Sequence, residues 1–357
     1  MLKRIIFLMA ILSLSVSPFL AQENLFSRNF NHYQGIVPGV DFFADSRDLV
    51  KPFEKPIEEA RQRLEQFLGE GLAPGAVFIC SSVEQQDSVY EPKAFRMGYR
   101  WVLMPLTPDA GIQQSLERMK SRMGGEIPPE MLERLKQRAS GAESRMVETA
   151  VLQVGYAILM TTLNPDKEFR TSRLDDMNRS PLADWLDIGL AAYAARSAES
   201  QVSFLQGRLE ESFPIEDILF MSRPVIVPTF DAQNSGFSGE GRSRPPNGMG
   251  GAPNSPQGQS SRSTAIPKDV QDRRMFDAQA ATFFAYLIET QGVEKVREIV
   301  QLNSNGEDIQ EILERPEFLG TDFQEVENTW REWVGNQKVE SRGRAAQSSP
   351  SEKPGSK

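Results

Sequence analysis

What this chain has one of narrows its chemistry first. His32 is the only histidine and Cys80 the only cysteine in 357 residues. A Ser-His-Asp or Cys-His mechanism would have to run through His32. That residue lies in "RNFNHYQG", where the spacing suggests a loop and a solvated imidazole. A thiolate zinc site needs several cysteines, and Cys80 stands alone in the apolar run "AVFICSS", as a small core residue would. Asp and Glu number 49, yet they nominate no glycosidase pair. "DFFADSRD" and "RLDDMN" lack the alternating oxygen ligands and central glycine of a calcium loop. "GEGRSRPPNG" is glycine-rich but lacks the Lys-Ser/Thr and the helix that would complete a phosphate cradle. No S-x-x-K opens a buried helix.

Two stretches keep the spacing of a site without its atoms. In "SRMVETAVLQVGYAILMTTL", Val154 and Ile158 are four apart and share one helical face, with Gly155 between them. Further on, "DWLDIGLAAY" supplies Trp185, Leu186, Gly189, Ala191 and Tyr193, with Ile188 in their midst. Histidines four apart can share one zinc, a glutamate between them can activate its water, and a second helix can add a carboxylate ligand.

With that spacing the chain resembles the peptidase-MA-like gluzincins, zinc metallopeptidases of the thermolysin type. Their HExxH helix is followed by a Trp-Leu-x-Glu-Gly-x-Ala helix. The resemblance runs over roughly residues 54–335. It continues through "AQAATFFAYLIETQGVEKVREIVQLNSNGEDIQEILE" to a closing helix with Trp330 and Trp333. It puts Val154 and Ile158 at the histidine positions, Gly155 at the general base and Ile188 at the third ligand. All four are degenerate: none carries a donor atom or a base, so no metal, cofactor or catalytic residue is expected. The resemblance implies an α+β, mostly α, zincin-like fold. A small N-terminal sheet would pack on the buried former active-site helix, and a helical C-terminal lobe would follow. It also implies a remnant cleft for a peptide or protein, with Tyr156, Trp185, Asp187 and Tyr193 near it as candidate ligand-binding residues. The residue types themselves favour core aromatics for Trp185 and Tyr193 and a solvated helix residue for Asp187.

The expected function is therefore a secreted, non-catalytic peptidase-like binding or scaffold module. Two alternatives remain: a hydrolase with a carboxylate-based site, and an envelope-associated structural protein. A net charge of -9, with Lys and Arg interspersed among acids, excludes nucleic acid as the main partner.

The elements that would position these residues follow from periodicity. Residues 1–21 have the basic start and apolar run, Ile5 to Val16, of an export signal, shorter than the about 20 residues of a membrane span. It suits the bacterial periplasm or exterior, and a membrane becomes a partner only if the signal stays uncleaved. Residues 22–53 read as an irregular lead-in. The zincin-like part spans 54–230. It opens with an amphipathic helix, "KPIEEARQRLEQFLGEGL", and has strands in "PGAVFICSS" and "GYRWVLMPLT". Helices follow in "DAGIQQSLERMKSRM" and "PPEMLERLKQRA". The second site helix is expected to be capped by Ser180 with Pro181 in its first turn. Residues 231–268 are Gly, Ser, Pro, Asn and Gln with almost no large apolar side chains, as in a disordered insertion. A helical lobe over 269–336 and a disordered tail over 337–357 complete the chain.

Overall fold

The computed structural model describes residues 29–86, 89–123, 141–170, 180–224 and 268–338, with Ile127, Pro128, Glu130 and Glu133. Residues 1–21, where an export signal is expected, and nearly all of the expected insertion, tail and "PPEMLERLKQRA" helix lie outside the described residues.

The chain is mixed α and β and mostly helical, with one small sheet. Five strands lie in chain order: β1 (Asn31–Val37), β2 (Val40–Ala44), β3 (Gly75–Ile79), β4 (Trp101–Leu103) and β5 (Phe169–Arg170). β1 and β2 are antiparallel, and β2 to β5 are parallel. The first two strands correct the expected irregular lead-in. Pro38 and Gly39 (φ 68°) close a two-residue turn, with Val37 paired to Val40. The register shifts between Tyr33 and Val37, around Gly35 (φ 69°). That irregularity breaks the strict alternation by which a strand is recognised.

Both faces of the central strands are covered, so β3 and β4 are buried and apolar throughout, whereas β1 at the edge is of mixed polarity and partly exposed. Phe42, Ala44, Val77, Ile79, Trp101 and Leu103 face the main core. Phe43, Ala76, Phe78, Cys80, Val102 and Met104 face a smaller one, closed by Phe30 and by Tyr90 and Ala94 of helix α2 (Tyr90–Arg96). Period-two alternation sorts neighbours onto opposite sides.

Helix α1 (Arg47–Leu68) buries Val50, Phe53, Ile57, Ala60, Leu64 and Phe67 on one stripe. It begins eight positions before Lys55, where the amphipathic pattern was expected to start, and carries Pro52 and Pro56 inside it. Each proline removes one ladder hydrogen bond, and the buried stripe holds the turn together regardless. Helix α3 (Pro108–Met123) leads toward α4 (Ala142–Leu163), which packs on α1, β4 and β5. By length and composition α4 could cross a membrane; here it is a core helix.

Helix α5 (Asp184–Ala194) follows, then α6 (Ala198–Gln206) and α7 (Ile215–Phe220). Ala183, not Ser180, is the residue before the first turn of α5, and its carbonyl accepts from Leu186 and Asp187. The Ser180 hydroxyl accepts instead from Leu182 N–H at 3.0 Å, a local turn ahead of the helix. The C-terminal helices are α8 (Lys268–Gln291), α9 (Val293–Ser304), α10 (Ile309–Leu313) and α11 (Phe323–Asn336). Asp308 and Asp322 cap α10 and α11 by accepting backbone N–H groups. One apolar core runs from the sheet through α4, α5 and α8 to Trp330 and Val334.

Candidate functional site: the α4–α5 helix pair

Small residues let these helices approach closely. A Cβ added to Gly155 on α4 would lie 3.3 Å from the Ala191 carbonyl oxygen on α5. On the opposite side of α5, a Cβ at Gly189 would fall 2.5 Å from Phe284 Cβ on α8. Helix α5 is thus clamped between α4 and α8. Val154 and Ile158 are fully buried and Ile188 is 4% exposed, all three within the main core. Removing each such side chain from water contributes roughly 1.5–3 kcal/mol.

The four ligand candidates fall into the same interior. Trp185 is fully buried, edge-to-face with Phe283 at 5.7 Å, and its indole N–H has no hydrogen-bond partner among the described residues. Tyr193 is half-buried and packs against Phe67 and Phe284 at 5.7 and 5.8 Å. Tyr156 is buried, and that burial pushes its phenol well above its ordinary pKa.

Asp187 overturns its expected place in solvent: only 2% of it is exposed. On α5 it shares a face with Leu190, Ala191 and Ala194, at i+3, i+4 and i+7. That apolar face was the available signal for burial. Desolvation holds the Asp187 carboxyl well above the usual carboxylate range; a hydrogen bond from Ser180 opposes this, the Asp184 charge adds to it, and the Arg223 charge opposes it. Oδ1 of Asp187 has no hydrogen-bond partner among the described residues. Arg223 gives its guanidinium to Asp277 instead, through Nε to Oδ1 at 2.7 Å and Nη2 to Oδ2 at 2.5 Å. Its backbone N–H donates to Asp184 Oδ2 at 2.7 Å. Sequence spacing missed this cluster, because Asp184, Arg223 and Asp277 come from three distant segments.

A groove of about 390 Å³ opens beside the N-terminal half of α4. Met104, Pro105 and Leu106, the continuation of β4, form one side, and Met146, Thr149 and Gln153 of α4 the other. Strand β5 pairs with β4 only as far as Val102 and Arg170, while on its other side the chain stays against β3 as far as the Cys80–Leu106 bridge. Gln86 Nε2 donates to the Met104 carbonyl at 2.6 Å and fixes one end.

His32 is not a solvated loop residue. It lies on β1, its ring stacked on Phe43 at 4.4 Å, with Nε2 3.0 Å from Asp41 Oδ2. Tyr99 also donates to Asp41. Burial pushes the Asp41 carboxyl up, but hydrogen bonds from His32, Tyr99 and Gln34 outweigh it and hold the pKa below the ordinary value. Cys80 is buried, and desolvation pushes its thiol up to about 12. Among the described residues no three His, Cys, Asp or Glu side chains are grouped to hold a metal ion.

No family model matches the chain, and no curated protein and no solved structure does.

Proposed function

We propose that this protein is a secreted, non-catalytic, zincin-like binding module in which the β4–α4 groove receives an extended segment of a peptide or protein. One observation carries the reading: the residues at the expected ligand and base positions, Val154, Gly155, Ile158 and Ile188, lie buried on two helices in contact. Aliphatic side chains have no lone pair for a metal, and Gly155 has no side chain to serve as a base. The groove runs along the N-terminal half of α4, where a strand continuation and a helix lie side by side. Peptides bind between such elements through main-chain hydrogen bonds and side-chain pockets.

Metal analysis of the purified protein tests this, together with turnover of a mixed peptide library before and after zinc addition. The expected result is substoichiometric zinc and intact peptides. One zinc per chain, or zinc-dependent cleavage, would overturn it. The carboxylate-hydrolase alternative has one supporting observation, the buried Asp187 carboxyl beside Asp184. It predicts turnover without added metal that Asp187→Asn abolishes.

A further inference from the structure

The opposite flank of α4 carries a second groove, of about 420 Å³, between α1, α4 and the α5–α6 junction. Pro56, Val147, Val151 and Ala195 form its apolar floor. On one wall the Glu59 carboxylate meets three cations: Arg63 at 2.8 Å, Arg196 at 3.6 Å and Lys55 at 3.8 Å. That wall is therefore two charges positive. Arg63 is committed, since it also donates to the Ala194 carbonyl at 2.6 Å. The Lys55 and Arg196 side chains are 85% and 71% exposed and can turn toward a guest. The facing wall carries Glu148 and Glu199, neither of which pairs with a cation among the described residues. Among the described residues Glu148 accepts from the Ser200 hydroxyl, at 3.4 Å.

Arg196 is also the one non-glycine residue with positive φ, 54°, among the described residues. It sits just past α5, where Ser197 N–H reaches the Ala192 carbonyl and Arg196 N–H the Tyr193 carbonyl. This is the left-handed helix ending at which glycine is usual. An exposed ion pair at 3.6 Å returns less than a left-handed conformation costs an ordinary residue. Stability alone favours glycine here, so the guanidinium at the groove wall needs another reason.

We propose that this groove binds a short peptide with free ends. The carboxylate lies against Lys55 and Arg196, the ammonium against Glu148 and Glu199, and the small side chains on the apolar floor. A dipolar guest satisfies both walls, which a simple anion or cation does not. The volume falls within the range of small-ligand sites. The site lies across α4 from the β4 groove and does not depend on peptidase ancestry.

The test uses the intact protein with trialanine bearing free ends and with its doubly blocked form, N-acetyl-trialanine amide, followed by calorimetry and saturation-transfer NMR. Binding of trialanine should weaken about tenfold on blocking both ends, and again at high salt. The paired variants Glu148→Gln with Glu199→Gln, and Lys55→Gln with Arg196→Gln, should each weaken it by about threefold or more. Arg196→Gly separates binding from scaffolding: it should raise the melting temperature and still weaken trialanine. Equal binding of free and blocked peptide would overturn the proposal. So would charge variants of unchanged affinity, or no saturation transfer to trialanine at about 10 mM, beyond the millimolar range of weak complexes.

Discussion

Gly155 on α4 lies against the backbone of Ala191 on α5 so closely that even a methyl group would stand 3.3 Å from the Ala191 carbonyl oxygen. Where the gluzincin resemblance expects a general base, the chain has a helix crossing. Alanine at 155 gains helix propensity and meets a slightly tight contact, so Gly155→Ala should change stability by less than about 1 kcal/mol. Gly155→Glu must bury a carboxylate between two helices and should cost more than about 3 kcal/mol. Urea denaturation compares the two. A glutamate variant as stable as the parent would mean that the helices part easily and that the cleft is still latent. The fuller replacement, Val154→His with Gly155→Glu, Ile158→His and Ile188→Glu, should lower stability further and yield no peptidase.

The contact on the far side of α5 is tighter. A Cβ at Gly189 would fall 2.5 Å from Phe284 Cβ, an atom next to the backbone of α8 that cannot swing away. Gly189→Ala should therefore lose about 1–3 kcal/mol. Gly207→Ala, where nothing lies within 4 Å, is the control and should be near neutral. Similar melting temperatures for the two variants would contradict the clamped arrangement of α5.

Asp187 gives stability a pH dependence of known sign. Its folded pKa lies above the unfolded value near 3.8, so the folded state holds the proton more tightly. The stabilisation is complete below pH 3.8 and is lost as pH rises through the raised folded pKa. Asp187→Asn removes this slope. Melting curves from acid to neutral pH should therefore show the asparagine variant gaining on the parent as pH increases. Parallel curves would mean that the carboxyl is not protonated in the fold. Asp41 acts in the opposite direction: its depressed pKa makes its contribution present above the ordinary value and lost as pH falls through the folded one. Asp41→Asn should be most damaging near neutrality.

Cys80 should be inert in the folded protein. A thiol pushed up to about 12 holds almost no thiolate near neutrality, and its sulfur lies inside the smaller core. Ellman's reagent should report no reaction in native buffer and one thiol in denaturant. Rapid native labelling would show that the sheet face beneath Tyr90 opens readily.

Much of the helical frame was legible in the sequence. The apolar run around Val154, the small residues after Trp185 and the stripe of Phe276, Phe283 and Phe284 all place their helices by periodicity alone. The β1–β2 hairpin was not legible, because the register shift near Gly35 and the mixed polarity of "NHYQGIV" hide the alternation. The start of α1 was hidden by Pro52 and Pro56, which ordinarily argue against a helix. His32 and Asp187 were misplaced for the same reason. Polar side chains read as solvated until their surroundings are known: His32 finds Asp41 on the next strand, and Asp187 is enclosed by the apolar packing around α5. The clearance at Gly155 and Gly189 is a tertiary quantity that no local window contains.

Helix α4, among the described residues the one helix long and apolar enough to cross a membrane, has a consequence outside the folded state. Its 22 residues match the dimensions a lipid bilayer accepts. While the chain is still unfolded, that segment competes between two solvents, the membrane interior and its own future core. Only docking against α1, α5 and the sheet withdraws it from that competition. In a chain synthesised beside a bilayer, this stretch reaches the core only if its neighbours close over it before the lipid does.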